Sequence, residues 1–203
     1  MITIYGMTNS GNCYKPRLLL AKLGIKFRHV ETASGAAGTK SSAFLARNPN
    51  GRVPLLEFDD GRVLAESNAM LLYLAEDSRF LPADAYLRAL AYQWLFFEQY
   101  SHEPYIAVRR ALLIMPHRAA DATPERLAAT LAGGNKALAV MEEQLARTPF
   151  FAGDAMTVAD IALYAYTHDA EAGGFDLKTY PAVAAWLDRV AADPGHVPIG
   201  WTG

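Results

Sequence analysis

A single cysteine, Cys13, stands in a chain of 203 residues. One thiol excludes an internal disulfide framework and fits a reducing compartment. No uninterrupted apolar run approaches the roughly 18 residues of a membrane-spanning helix, and the N-terminus has no basic-then-apolar leader pattern. Charge of one sign is also missing. Nineteen basic against 21 acidic residues leave −2, which argues against general binding of nucleic acid or of anionic membranes. Basic pairs such as Arg109-Arg110 read as a solvated helix face. His102 and Glu103 lack the further ligands that a metal site requires. Repeats and low-complexity tracts are absent. The expectation is a soluble cytoplasmic protein with no metal, no nucleic-acid partner and no membrane partner.

What is present is enough apolar mass for a core, with 52% hydrophobic and 20% charged residues. The length falls between one large domain and two small ones, at roughly 100–200 residues each. Residues 1–78 alternate strand and helix signals. Ile2-Tyr5 is a short strand, Leu18-Leu23 a helix stopped by Gly24, and Lys26-Val30 alternates as a second strand. A short helix follows around Ser41-Arg47. Val53-Phe58 and Arg62-Leu64 flank Asp59-Asp60-Gly61 as a hairpin, and Glu66-Ser67-Asn68 opens a helix through Leu74. The order is βαβ, then ββα, with the first pair parallel and the hairpin antiparallel.

Residues 79–84 read as a linker and 85–203 as all-helical. Leu87, Leu90, Ala91, Trp94 and Leu95 form one apolar stripe, and Leu127, Leu131, Leu138, Met141 and Leu145 form another. Pro104 interrupts the first of these helices and Met115-Pro116 ends its continuation. Thr157 and Asp160 have the spacing of a capping box, with Asp in place of Glu, and are assigned to folding. Val183, Trp186, Leu187 and Val190 mark a last helix before Asp193-Pro194-Gly195.

The stretch Ser10-Gly11-Asn12-Cys13-Tyr14-Lys15 is a strand-to-helix turn carrying a hydroxyl and a thiol three residues apart. A layout with cysteines at both positions does disulfide chemistry. Here the first is a serine. A serine before a helix is ordinarily a cap, and a lone cysteine ordinarily a small buried hydrophobe. A thiol in a helix's first turn is also a candidate for a depressed pKa and a mixed disulfide. Both readings stay open. Pro16 occupies the first turn on this reading and biases where the helix begins.

Four motifs in order resemble the cytosolic glutathione transferases, most closely bacterial members with a serine at the active position. They are Ser10-Gly-Asn-Cys-Tyr-Lys15, Asn48-Pro-Asn-Gly-Arg-Val-Pro54, Leu64-Ala-Glu-Ser-Asn68 and Phe151-Ala-Gly-Asp-Ala-Met-Thr-Val-Ala-Asp160. The resemblance spans nearly the whole chain. It implies an α/β thioredoxin-like N-terminal domain that binds glutathione as co-substrate, followed by an all-α C-terminal domain. It implies a homodimer that transfers glutathione to a small hydrophobic electrophile. Ser10 is then the group that hydrogen-bonds the glutathione sulfur, with Cys13 and Asn12 as alternatives and Thr8 and Asn9 as neighbouring donors. Val53, before a cis-Pro54, pairs with the cysteinyl backbone. Glu66 and Ser67 receive the γ-glutamyl end, and Lys40 and Arg52 the glycyl carboxylate. The helical domain supplies the electrophile pocket, with Tyr105, Ile106, Arg109 and Leu113 as lining residues and the tail around Ile199-Trp201 as a further candidate. Use of Cys13 instead would make a glutathione-dependent reductase or isomerase, and loss of catalysis a ligand- or partner-binding protein.

Overall fold

Each strand of the first sheet is short, so pairing and helix cover hold it together. β1 (Ile2–Gly6) runs parallel to β2 (Phe27–Glu31) because α1 (Gly11–Leu23) carries the chain back between them. β3 (Leu55–Glu57) and β4 (Val63–Ala65) add antiparallel, for a strand order β2-β1-β3-β4. Ile4 stands opposite Leu56, and Leu56 opposite Leu64. Ile4 and Leu56 are fully buried together with Leu20 of α1 and Met70 of α3 (Ser67–Leu74). Each such side chain contributes about 1.5–3 kcal/mol by leaving water. α2 is one turn, Ser42–Leu45, capped by the Ser41 hydroxyl.

α1 starts earlier than the apolar pattern suggested. Ser10 is its N-cap, so Pro16 falls in the second turn and the helix continues through it with one ladder bond fewer. At the other end Gly24 takes φ 66°, and the N–H groups of Gly24 and Ile25 close on the Ala21 and Leu20 carbonyls.

This computed structural model describes residues 1–203, which divide into two compact units. The first comprises Met1–Glu76 together with Pro194–Gly203, and the second Asp77–Asp193. Two features differ from the sequence boundaries. The 79–84 stretch is no free linker: Phe80 and Leu81 are buried, and the Phe80 carbonyl accepts the Val158 N–H. The last ten residues belong to the α/β unit, where Tyr14 Oη donates to the Val197 carbonyl. Short-range periodicity carries no information about either long-range contact.

The second unit contains α4 (Ala85–Phe97), α5 (Glu103–Ile114), α6 (Pro124–Leu145), α7 (Val158–Thr167) and α8 (Pro181–Ala192). A π-helical turn, Glu98–His102, joins α4 to α5, and Pro104 sits at the start of α5, where a missing N–H costs little. No helix is long and apolar enough to cross a membrane.

Asp160 is the polar centre of this unit. It is fully buried and accepts from Thr157 N, Thr157 Oγ1, Phe151 N and Trp186 Nε1 at 2.8–3.1 Å. The capping box read from Thr157 and Asp160 is therefore present, and it also pins the Phe151 and Trp186 rings, whose centroids lie 5.1 Å apart. Burial pushes the carboxyl up to about 6 against the pull of those four donors, so it is ionised at neutral pH. Asp160→Asn presents an amide to donors that need an acceptor. Denaturant titration should show a loss of about 2–4 kcal/mol.

Candidate functional site

β1 ends on Gly6, where an added Cβ would stand 3.0 Å from Cys13 Sγ. The absent side chain lets the first turn of α1 close over the strand end. Ser10, at φ −87° and ψ 125°, turns the chain into the helix, its Oγ accepting the Cys13 N–H at 3.4 Å and its own N–H donating to the Met7 carbonyl at 3.2 Å. The Ser10 Oγ, which accepts the Cys13 N–H, also hydrogen-bonds the Cys13 side chain, a contact that favours the thiolate. A half-buried hydroxyl thus stands at the N-terminus of a helix, whose field favours negative charge.

Cys13 has no exposed surface, and the Met7 N–H donates to its sulfur at 3.4 Å. Burial pushes the thiol up, outweighing the hydrogen bonds from Ser10 and Met7 and the charge of Arg17. This weighs against the alternative in which Cys13 acts as the nucleophile. The helix terminus and these hydrogen bonds pull toward the thiolate, but desolvation outweighs them and no solvent reaches the sulfur.

The first turns of α1 are tied to the start of α3 by a polar cluster. Lys15, fully buried, donates to Ser67 Oγ at 3.4 Å and to Asn68 Oδ1 at 3.1 Å, while Ser67 donates to Asn12 Oδ1 at 3.3 Å. The Ser67 hydroxyl is therefore committed inside the protein. The donors left at this end are the N–H groups of the first turn of α3, whose first ladder bond runs from Met70 to Glu66. Glu66 is exposed, at φ 68° and ψ 112°, a strained backbone for a residue with a side chain. Val53-Pro54 is cis, and Val53 lies before β3, leaving its N–H and C=O outside the ladder. Lys40 is exposed and donates to the Asn50 carbonyl at 3.2 Å, lying over Gly51, whose φ is 61°. Arg52 is exposed on the same loop, which Asn48 braces by donating to its carbonyl at 2.8 Å.

Two charged residues were not picked out from the sequence. Lys15 shares the buried stripe with Leu18 and Leu19, three and four residues on, which is a signal a helical wheel would reveal. Arg17 likewise stands three residues before buried Leu20, on the face of α1 that meets the core. Glu31 braces the turn from β2, accepting from Thr8 Oγ1 at 2.6 Å, Thr8 N at 3.1 Å and His29 Nε2 at 3.0 Å. Its slight burial raises its pKa, but these contacts outweigh that and hold it below the usual carboxylate range.

The helical-unit candidates divide. Ile106 is fully buried beside Gly134, and Arg109 donates to the Gly173 and Leu127 carbonyls, so both serve the interior of that unit. Tyr105 is half-buried over Gly133, and Leu113 is 47% exposed. The tail candidates also serve structure. Arg17 holds the Ile199 carbonyl at 2.8 Å, and Trp201 meets Phe27 edge to face at 5.5 Å. A cavity of about 440 Å³ lies there, lined by Leu20, Ile25, Phe27, Val197 and Trp201, at the opposite end of α1 from Ser10.

Residues 1–76 match the family model for the glutathione S-transferase N-terminal domain, and 124–189 that for the C-terminal domain. A glutathione S-transferase structure from Xanthobacter autotrophicus is 52% identical, with a TM-score of 0.94 over 98% of this chain and 97% of that one. A theta-class glutathione S-transferase from Xanthomonas axonopodis, solved with glutathione bound, is 27% identical, with a TM-score of 0.86 over 96% and 94%. The Escherichia coli disulfide-bond oxidoreductase YfcG is 28% identical over 96% of this chain and 92% of its own. Because Cys13 is sealed, a soluble thiol reagent should leave native protein unmodified and titrate one thiol after unfolding. Prompt reaction of the folded protein would contradict its placement.

Proposed function

Since the chain belongs to the glutathione transferase family, we propose that it binds glutathione along its α/β unit and ionises the ligand's thiol for attack on a small hydrophobic electrophile. The observation that carries this reading is the half-buried Ser10 hydroxyl as the N-cap of α1, where a hydroxyl and a helix terminus converge on one place. A thiol of pKa near 8.5 is only a few per cent ionised at neutral pH. Lowering that pKa by about two units requires roughly 2.7 kcal/mol of preference for the thiolate. A hydroxyl hydrogen bond and the amides of a helix terminus both act in that direction.

The rest of glutathione fits donors already described. The cysteinyl backbone pairs with Val53 N–H and C=O as an added strand would. The γ-glutamyl carboxylate meets the amides at the start of α3, and Glu66 accepts from the ammonium. Buried Lys15 adds positive charge behind that end. Lys40 and Arg52 face the glycyl carboxylate. Tyr105 and Leu113 remain the helical unit's candidates for meeting the electrophile, while Ile106 and Arg109 serve that unit's interior. We read the assembly as a homodimer, which accords with exposed Phe96 (74%) and Tyr100 (85%). A cytoplasmic location accords with the free thiol of Cys13.

The likeness to a disulfide-bond oxidoreductase favours a second reading, glutathione-dependent reduction or isomerisation. With Cys13 sealed, the thiols in that chemistry are glutathione's own and Ser10 has the same task.

Steady-state kinetics with an aromatic electrophile separate these roles. Ser10→Ala should lower kcat/KM by about tenfold or more and move its pH dependence to higher pH, because a thiol deprived of its donor ionises later. An unchanged rate and profile would remove Ser10 from the mechanism. Reductase turnover with little conjugation, lost in Ser10→Ala and kept in Cys13→Ala, would select the second reading.

A further inference from the structure

Arg17 is the most anomalous charge in the α/β unit. Its side chain has no exposed surface. One nitrogen, Nη2, donates to two carbonyls, Thr8 O at 2.6 Å and Ile199 O at 2.8 Å, while Nε and Nη1 are buried with no partner. Leaving part of a buried guanidinium unsatisfied is costly, and a neutral donor would serve the two carbonyls without that cost. The nearest carboxylate, Glu31, does not pair with it, because Glu31 is engaged by Thr8 and His29. The positive charge is therefore poorly compensated, and in a dry interior it acts over a longer range than in water. Thr8, whose carbonyl it grips, is two residues before Ser10.

We propose that Arg17 is a positioning residue for the Ser10 turn and the source of a buried positive charge that favours the thiolate of a glutathione held there. This rests on the reading of Ser10 given above and deepens it. The bridge to Ile199 ties the turn to the C-terminal tail, so ten residues distant in sequence brace the site from behind. The charge adds to the field of the α1 terminus, which points the same way. The ionisable groups facing Arg17 are Cys13 and Tyr14 of α1 and Glu31 of β2, with His29 behind Glu31. Cys13 is un-ionised at neutral pH because burial raises it, so Glu31 supplies the one opposing charge. Burial lowers the Arg17 pKa, with Cys13, Glu31 and Tyr14 pulling it back. That is what an under-compensated cation shows.

The test is the ultraviolet difference spectrum of glutathione bound to the full chain, followed across pH, in wild type, Arg17→Met and Arg17→Lys. Arg17→Met should raise the pH of thiol ionisation by about one unit, a tenfold loss of thiolate at any pH below both values. Arg17→Lys, which keeps the charge, should recover most of that loss. A purely structural arginine would shift affinity without moving the ionisation, so an unchanged ionisation in Arg17→Met overturns the proposal. Should Arg17→Met fail to fold, Glu31→Gln gives the opposite sign. It removes the opposing charge yet leaves an amide oxygen for Thr8, and should yield about twofold more thiolate at a given pH. No change, or less thiolate, overturns the proposal. Failure of the underlying reading looks different. Wild type would then form no thiolate with glutathione, or Ser10→Ala would ionise it as wild type does, and either result removes the role of Arg17 as well.

Discussion

The α/β unit depends on how two helix N-termini are brought together and held. α1 and α3 both begin at the same end of the sheet's strands, and Lys15, Ser67, Asn12 and Asn68 fasten them with side-chain hydrogen bonds. Two helix termini side by side are two partial positive charges side by side, an arrangement that repels itself unless an anion is supplied. Burying the Lys15 ammonium at the same place adds to the cost. The packing of Leu20 and Met70 against Ile4 and Leu56 forces the helices into position regardless, at about 1.5–3 kcal/mol per buried side chain. Core burial thus holds in place a positive surface whose charge suits an acidic ligand.

The same trade recurs along α1. Its sequence puts Cys13, Tyr14, Lys15, Pro16 and Arg17 in consecutive buried positions, two of them cationic and one a helix breaker. The proline removes a ladder bond from α1, and burying the two cations costs desolvation. Lys15 ties the turn to α3, Arg17 ties it to the C-terminal tail, and the Gly6–Cys13 contact sets the height of the turn above β1. Local propensity yields here to positioning, as expected where a site overrides the rules that govern the rest of a fold. The helical unit makes the contrast plain. Asp160, fully buried there, meets four donors and serves to cap and to pack.

Much of this was legible in the residues. Period-2 and period-3.6 patterns located the strands and the principal helices, because each element buries one face. The Thr157–Asp160 spacing announced its own hydrogen bonds. Ser10 was readable as a cap and, through resemblance, as a sulfur ligand. What stayed hidden depends on contacts distant in sequence. Nothing near Ile199 shows that its carbonyl meets Arg17, 182 residues earlier. Nothing in Ser67 shows that its hydroxyl is consumed by Lys15 and Asn12. The direction Cys13 faces follows from where α1 begins, and Pro16 obscured that start until Ser10 was seen to cap it. Ile106 and Arg109 looked like pocket residues because their helix was recognisable while its buried face was not.

The central claim is that the reactive thiol belongs to the ligand and that Ser10 holds it. A crystal structure of the protein with glutathione bound tests this directly. The account predicts the glutathione sulfur within hydrogen-bond reach of Ser10 Oγ, with the γ-glutamyl carboxylate on the first-turn amides of α3. A sulfur turned away from Ser10, or joined to Cys13 in a mixed disulfide, would contradict it.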